Sequence, residues 1–303
     1  MVASQILLLT EKPRPQIMPL SKAALDGLLE GFTLSATSLC RILECPLSFY
    51  YENVLRVPNT SSEAASYGSA VHYSLRRLFE RIDPETGAFP TEAQFMKDFE
   101  RELERQKVHL TESQYRRRLA LGRQDLPAYY QTRIHNFHKK VEVEVEVRNV
   151  EVQGVPITGT VDKIEHFAKS KINIVDYKTG RFRSKKIEPP SEKNPLGGDY
   201  WRQVIFYKIL LENFRNAQWK VQAGAIDYTE PDRKTKAFYY KKVSIMPKDV
   251  KIVTQQIVDS YQRIQKHDFF EGCGKTTCHW CNFANKHIIQ DSYADALTEE
   301  LDD

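Results

Sequence analysis

The sequence predicts an α/β protein of the α+β kind, in which a helical first part precedes a central sheet flanked by helices. Two observations predict this class. Up to about residue 140, apolar residues recur every three or four positions, as in amphipathic helices. From residue 141 they alternate with polar residues, as in half-buried strands. With 303 residues, 41% of them apolar, the chain is long enough for a large core.

The helical part divides into several segments. Ser35 can cap a helix that ends at Cys45-Pro46, since proline does not continue a helix. Apolar positions spaced by three and four predict a second helix over 67–82. Similar spacing predicts two further helices, over 92–107 and 112–135.

The second part is predicted to contain strands and two helices. Valines alternate with glutamates from Val141 to Val147, which is typical of a strand with one buried face. Gly154 marks a turn, and a polar loop with three prolines spans 180–198. The remaining strands are predicted over 155–167, 172–178, 221–228 and 238–243, and the helices over 199–214 and 248–266.

Composition and charge exclude several classes of protein. No apolar run approaches the ~18–20 residues of a membrane span, and the first ten residues lack the basic start of a secretory signal. The five cysteines are unevenly placed and do not resemble a secreted disulfide framework. We therefore predict a cytoplasmic protein without a membrane partner. Its formal charge of +4 does not by itself indicate nucleic acid binding.

Two strands form the strongest candidate for chemistry. If Phe167 pairs with Lys171 in a hairpin, Asp162 lies opposite Asp176, and alternation places Lys178 on the same face. Opposed carboxylates repel each other, and a divalent cation between them would relieve this repulsion. Carboxylate oxygens suit Mg²⁺ or Mn²⁺. The alternative is a surface hairpin whose charges face solvent.

Two other features are weaker. Asp199, Gln203 and Tyr207 share one face of the helix predicted over 199–214, and could hold a phosphate backbone or the lysine. Alternatively, this is an ordinary amphipathic helix with Tyr207 at the rim of the core. His72 lies beside an apolar helical stripe, and a lone helical histidine is more often structural than a ligand.

These residues resemble a known family, the PD-(D/E)XK nucleases of the RecB type. The resemblance consists of five short motifs, which occur in the family's order from about residue 32 to 287. Each motif is short, but five of them in order are specific. The motifs are Ser35–Tyr51 with Cys45-Pro46, Tyr67–His72 as the histidine motif, Gly159–Ile164, Ile174–Gly180 followed by Gln203 and Tyr207, and Cys278–Phe283 as a C-terminal cysteine clasp.

The resemblance implies a restriction-endonuclease-like core with a mixed central sheet, and a Mg²⁺- or Mn²⁺-dependent DNA nuclease. It assigns His72, Asp162 and Asp176 to the metal, together with the backbone carbonyl of Tyr177. Lys178 would be the catalytic lysine. Gln203 and Tyr207 would support the site and the DNA.

The family also implies a biological setting. Such domains are typical of AddB- or RecB-like helicase–nucleases, and the chain resembles a piece of a Bacteroidetes-type one. We expect an exonuclease acting on DNA ends or single strands in repair or recombination, with a helicase partner. The alternative is a catalytically inactive DNA-binding or scaffold domain. Gly274-Lys275-Thr276 does not complete a phosphate-binding loop because Phe269 stands where glycine is needed, so we expect no ATP binding.

The cysteine clasp leaves three possibilities open. In iron–sulfur members of the family, one early and three late cysteines hold a [4Fe–4S] cluster, which here would be Cys45, Cys273, Cys278 and Cys281. His287 stands where the last cysteine usually lies, so Cys273, Cys278, Cys281 and His287 could instead bind zinc. The third possibility is a clasp without metal.

We predict four segments along the chain. Residues 1–31 form a lead, and residues 32–140 form the helical part with the early cysteine and the histidine motif. Residues 141–290 form the nuclease core and the clasp, and residues 291–303 are an acidic tail. Residues 32–290 are expected to be one structural unit.

Overall fold

The computed structural model describes residues 14–57, 62–214 and 218–286. The chain divides into two compact units, Met1–Pro58 with Gln256–Asp303, and Asn59–Gln255. The four segments predicted from the sequence stay a prediction, and the acidic tail lies outside the described residues. Within the described ranges, none of the helices has the length and apolar character needed to cross a membrane.

The first unit is built from short helices. They are α1 (Lys22–Leu29), α2 (Ala36–Glu44) and α3 (Pro46–Phe49), which continues as a π-helical turn over Tyr50–Val54. Residues 279–286 are also helical. The predicted cap of α2 is confirmed, because the backbone N–H of Ser38 donates to the Ser35 hydroxyl at 3.1 Å. Aromatic rings from the two ends of the chain pack together, with Tyr51 stacked on Trp280 at 4.5 Å.

The second unit begins with three helices, α4 (Glu63–Glu80), α5 (Glu92–Gln106) and α6 (Glu112–Arg133). Each begins after a serine or threonine whose hydroxyl accepts a backbone N–H, which satisfies a donor that the helix leaves free. Gly122 lets α5 and α6 approach, since a Cβ there would lie 2.2 Å from the Phe99 ring.

A mixed five-stranded sheet follows, as predicted. Its strands lie in the order in which they occur in the chain, and only the pair β3–β4 is parallel. A parallel pair needs a crossover, which here contains a helix. The elements are β1 (Val141–Val152), β2 (Val155–His166), β3 (Lys171–Lys178), α7 (Asp199–Glu212), β4 (Lys220–Tyr228), β5 (Tyr240–Val243) and α8 (Pro247–Gln265), whose residues from Gln256 onward belong to the first unit.

The two faces of the sheet have different neighbours. Val175 and Tyr177 belong to the apolar core formed with α4, α5 and α6. Because side chains alternate, Ile174 points to the opposite face. There, α7 comes so close that a Cβ at Gly224 would lie 2.2 Å from Val204 and 3.2 Å from Ile174. Helices therefore cover both faces of β3.

The predicted register of the β2–β3 hairpin is confirmed. Four pairs follow it, from Lys163 opposite Val175 to His166 opposite Ile172. The backbone N–H of Phe167 donates to the carbonyl of Lys171 at 3.0 Å, which closes the hairpin at the predicted position.

Candidate active site

The two predicted carboxylates lie next to the last regular pair of the hairpin ladder. Regular pairing ends at Lys163 and Val175. Beyond it, the backbone N–H of Tyr177 donates to Asp162 Oδ2 at 2.8 Å. Asp176 is buried, with 3% exposure, and its Oδ2 lies 2.6 Å from Lys178 Nζ. Two carboxylates and a lysine thus lie within one hairpin.

His72 reaches the same place from α4. Its Nδ1 lies 3.6 Å from Asp162 Oδ2, and its Nε2 lies 3.1 Å from the carbonyl oxygen of Tyr177. His72 therefore lies beside Asp162, and its role in the site stays a prediction. The imidazole, the Asp162 carboxylate and the Tyr177 carbonyl converge, and they are three of the four predicted metal ligands. Asp176 pairs with Lys178, and its ligation of a metal stays a prediction.

Glu144 on β1 is a site residue that the sequence reasoning missed. Its neighbours Val143 and Val145 pair with Lys163 and Val161, so Glu144 comes opposite Asp162 in the register. Its φ of 49° lies in the left-handed region, which residues other than glycine rarely adopt. Potential ligand atoms of His72, Glu144 and Asp162 all lie within 4.8 Å of one another. Nothing in the alternating valines and glutamates distinguishes Glu144 from its neighbours, and only its position opposite Asp162 indicates the site.

Burial and mutual repulsion set the charges of the site. Burial raises the pKa of Asp176 to about 6, although Lys178 opposes the shift. Burial acts in the same direction on Asp162, but His72 and Lys178 outweigh it and lower the pKa of that carboxyl. Burial would lower the pKa of His72, yet the adjacent Asp162 raises it to about 9. Burial, followed by the charge of Asp162, raises the pKa of Glu144.

Gln203 and Tyr207 lie one turn apart on α7, as predicted. The Gln203 side-chain amide donates to the Tyr207 hydroxyl at 3.0 Å. Burial raises the pKa of Tyr207, and the charges of Asp176 and Asp162 add to the effect. Gly159 lets the Tyr207 ring lie against β2, the strand that carries Asp162, since a Cβ there would lie 3.3 Å from the ring.

A cleft of about 560 Å³ gives access to this site. Small side chains of α4 line one side of it, among them Ala65 and Ser69. His72 and Glu144 also contribute to the lining. Carboxylates beside an open cleft supply the oxygen ligands that a hard divalent cation prefers.

The second candidate site is a cluster of four cysteines in the first unit. Each Sγ lies within 4.8 Å of the others, and the Cys45 and Cys281 sulfurs are 3.7 Å apart. These distances exceed the ~2.05 Å of a disulfide, and the thiols are free. Burial opposes ionisation of Cys278, but hydrogen bonds from the Cys281 backbone and Ser48 lower its pKa to about 7. The cluster consists of Cys45, Cys273, Cys278 and Cys281.

This cluster is the ligand set of the first alternative, in which one early cysteine joins three late ones. The zinc alternative cannot be compared with it, because His287 lies outside the described residues. Four sulfur ligands suit either an iron–sulfur cluster or zinc.

Comparison with known proteins agrees with this geometry. The family model of the PD-(D/E)XK nuclease superfamily matches residues 33–285. The chain belongs to this superfamily, and the predicted membership is confirmed; its RecB or AddB subtype stays a prediction. No curated protein sequence matches the chain significantly.

Two solved structures are similar to the chain. One is a crystal structure of a candidate exonuclease from Eubacterium rectale, with a TM-score of 0.51 and 9% identity, covering 88% of this chain and 94% of that one. At this identity the likeness shows the fold alone. The other, of the protein SSO0001, has a TM-score of 0.32 and 17% identity over 86% of each chain, and this score supports no conclusion about the fold.

Proposed function

We propose that the chain is a DNA nuclease that hydrolyses phosphodiester bonds with Mg²⁺ or Mn²⁺, as an exonuclease on DNA ends or single strands. One observation carries the proposal. In the second unit, half-buried Asp162 lies beside His72, buried Asp176 lies beside Lys178, and His72 lines an open cleft.

The residues present fit a divalent cation. Oxygen and nitrogen atoms of His72, Glu144 and Asp162 lie close enough to share one ion. In the metal-free protein, His72 compensates the Asp162 charge, and a cation would take over that role when the imidazole releases its proton. A bound cation supplies Lewis acidity, which activates water and stabilises charge on the scissile phosphate.

Lys178 and α7 supply the other functions. The ammonium of Lys178 is held against Asp176, where it can orient a water or stabilise charge that develops on phosphate oxygens. Gln203 holds the Tyr207 hydroxyl, and both then limit where the substrate backbone can lie. These groups are in place before substrate binds, which lowers the cost of reaching the transition state.

The experiment is cleavage of end-labelled DNA. Single-stranded, blunt duplex and circular substrates are incubated with Mg²⁺, Mn²⁺ or EDTA, and the products are sized. We expect metal-dependent shortening of linear DNA, loss of activity in Asp162→Asn and Asp176→Asn, and unchanged activity in Glu151→Gln on exposed β1 surface. Metal-dependent binding of DNA without any cleavage would instead favour the inactive scaffold.

We also propose that the four cysteines hold a [4Fe–4S] cluster. In support, the early Cys45 lies among the three late cysteines. A local zinc site made of late residues would not need Cys45. Protein purified without oxygen should be brown and absorb near ~400 nm. A colourless protein with one zinc per chain would contradict this.

The biological setting is proposed on the family resemblance. We propose a role in DNA repair or recombination with a helicase, which would supply single strands to the nuclease, and a cytoplasmic location. A helicase should then increase the rate of duplex degradation in the presence of ATP, while degradation of single strands should be unaffected.

A further inference from the structure

A second cavity lies beside strand β2 and shares no lining residue with the cleft at the candidate active site. Its volume is about 440 Å³, within the roughly 300–1,000 Å³ of small-molecule sites. Lys163 and Glu165 on β2 line it, and they flank Ile164, so alternation turns them away from the face of Asp162. Further lining comes from the chain after α6, from β4 and from β5.

Two ion pairs supply the charged groups that line the cavity. Lys163 is 1% exposed, and its Nζ lies 3.0 Å from Glu165 Oε1. Asp227 is also 1% exposed, with its Oδ1 3.0 Å from Arg133 and its Oδ2 accepting from the Tyr129 hydroxyl. Cations and carboxylates balance, so these pairs give the cavity no net charge.

Aromatic rings also line the cavity. Phe167 is 56% exposed and Tyr240 is 38% exposed, so both rings have surface that a ligand can reach. Phe167 stacks on the imidazole of His138, with ring centres 4.6 Å apart. Phe137 lies below the Lys163 ammonium, which is 4.9 Å from the ring centre. The cavity therefore presents flat apolar surfaces next to charged groups held in fixed positions.

We infer that this cavity binds a nucleobase, either of a free nucleoside or of a DNA strand. A nucleobase is planar, so it can stack on Phe167 or Tyr240. It is uncharged at neutral pH, which suits a cavity whose charges balance. Its edge carries donors for Glu165 and acceptors for Arg133. The inference does not depend on the proposed nuclease activity, because none of the lining residues belongs to the candidate active site.

The test is equilibrium binding of the four 2′-deoxynucleosides, measured by calorimetry and by ligand-observed NMR. We expect saturable binding to the whole chain, weakened at least roughly tenfold by Phe167→Ala or Tyr240→Ala, because each removes a stacking surface. Phe283→Ala, which removes an exposed ring in the other unit, is the matched control and should bind like the wild type. Circular dichroism and melting temperature establish that each variant is folded, and Tyr240→Leu provides a milder second substitution.

Separate outcomes distinguish the possible sources and sites. An oligodeoxynucleotide that binds more tightly than an abasic strand of equal length, with the difference lost in Phe167→Ala, identifies a DNA base as the occupant. Equal binding of both strands, with nucleosides still bound, identifies a free nucleoside. No saturable binding of any nucleoside, or binding that Phe167→Ala and Tyr240→Ala leave unchanged, would overturn the inference. So would loss of nucleoside binding in Asp176→Asn, which would place the base at the candidate active site. An inactive nuclease assay bears only on the proposed function.

Discussion

Replacing Asp176 by asparagine should stabilise the metal-free protein while removing its nuclease activity. Asparagine keeps the size of the side chain and imitates the protonated carboxyl. Raising the pKa of Asp176 from 3.8 to about 6 corresponds to about 3 kcal/mol, at about 1.4 kcal/mol per pKa unit. This is the upper limit of the gain, since Lys178 loses its anionic partner in the variant.

The stability difference between Asp176→Asn and the wild type should depend on pH in a defined direction. Because the folded state binds the proton of Asp176 more tightly than the unfolded state does, the wild type loses stability as pH rises from about 4 to about 6. Below pH 4 the carboxyl is protonated in both states, and the two proteins should be equally stable. Above pH 6 the difference should be constant and largest.

Urea unfolding with EDTA at pH 4, 5, 6 and 8 measures this difference directly. Glu151→Gln, on the exposed surface of β1, is the control and should show no such profile. Mg²⁺ at 100 times its Kd should then add about 2.7 kcal/mol to the wild type and little to the variant. An Asp176→Asn protein that is less stable at pH 8 without metal, or a difference that is the same at every pH, would refute the electrostatic account.

Three further predictions concern other parts of the chain. Lys178→Met should reduce cleavage by roughly 10²–10³ while Mg²⁺ still stabilises the protein, measured by single-turnover kinetics and melting; wild-type rates would contradict its role. Cys45→Ser should abolish absorbance near ~400 nm, whereas a local zinc site would keep its metal; Cys40→Ser is the control. Gly224→Ala should destabilise the second unit by roughly 1–3 kcal/mol in urea, because the new Cβ meets Val204, and Gly154→Asn at the open hairpin turn should cost much less.

The local features of this protein could be predicted from its sequence. The register of the β2–β3 hairpin follows from a short turn and from the two-residue period of a strand, so Asp162, Asp176 and Lys178 could be placed near one another. The cap at Ser35 is local for the same reason, since a hydroxyl and a backbone N–H three residues apart suffice to make it.

The contacts between distant segments depended on the tertiary structure. His72 lies 90 residues before Asp162, and without the fold its helical position only indicated an ordinary structural residue; the family resemblance, not the residue itself, placed it in the site. Glu144 has the same pattern as its neighbouring glutamates and is distinguished only by its pairing position and its φ. The meeting of Cys45 with three late cysteines likewise depends on packing between the ends of the chain. Strand alternation and helix caps depend on residues a few positions apart, so the sequence predicts them. Side chains far apart in sequence meet only where the packed core brings their backbones together, and a short-range pattern does not predict such contacts.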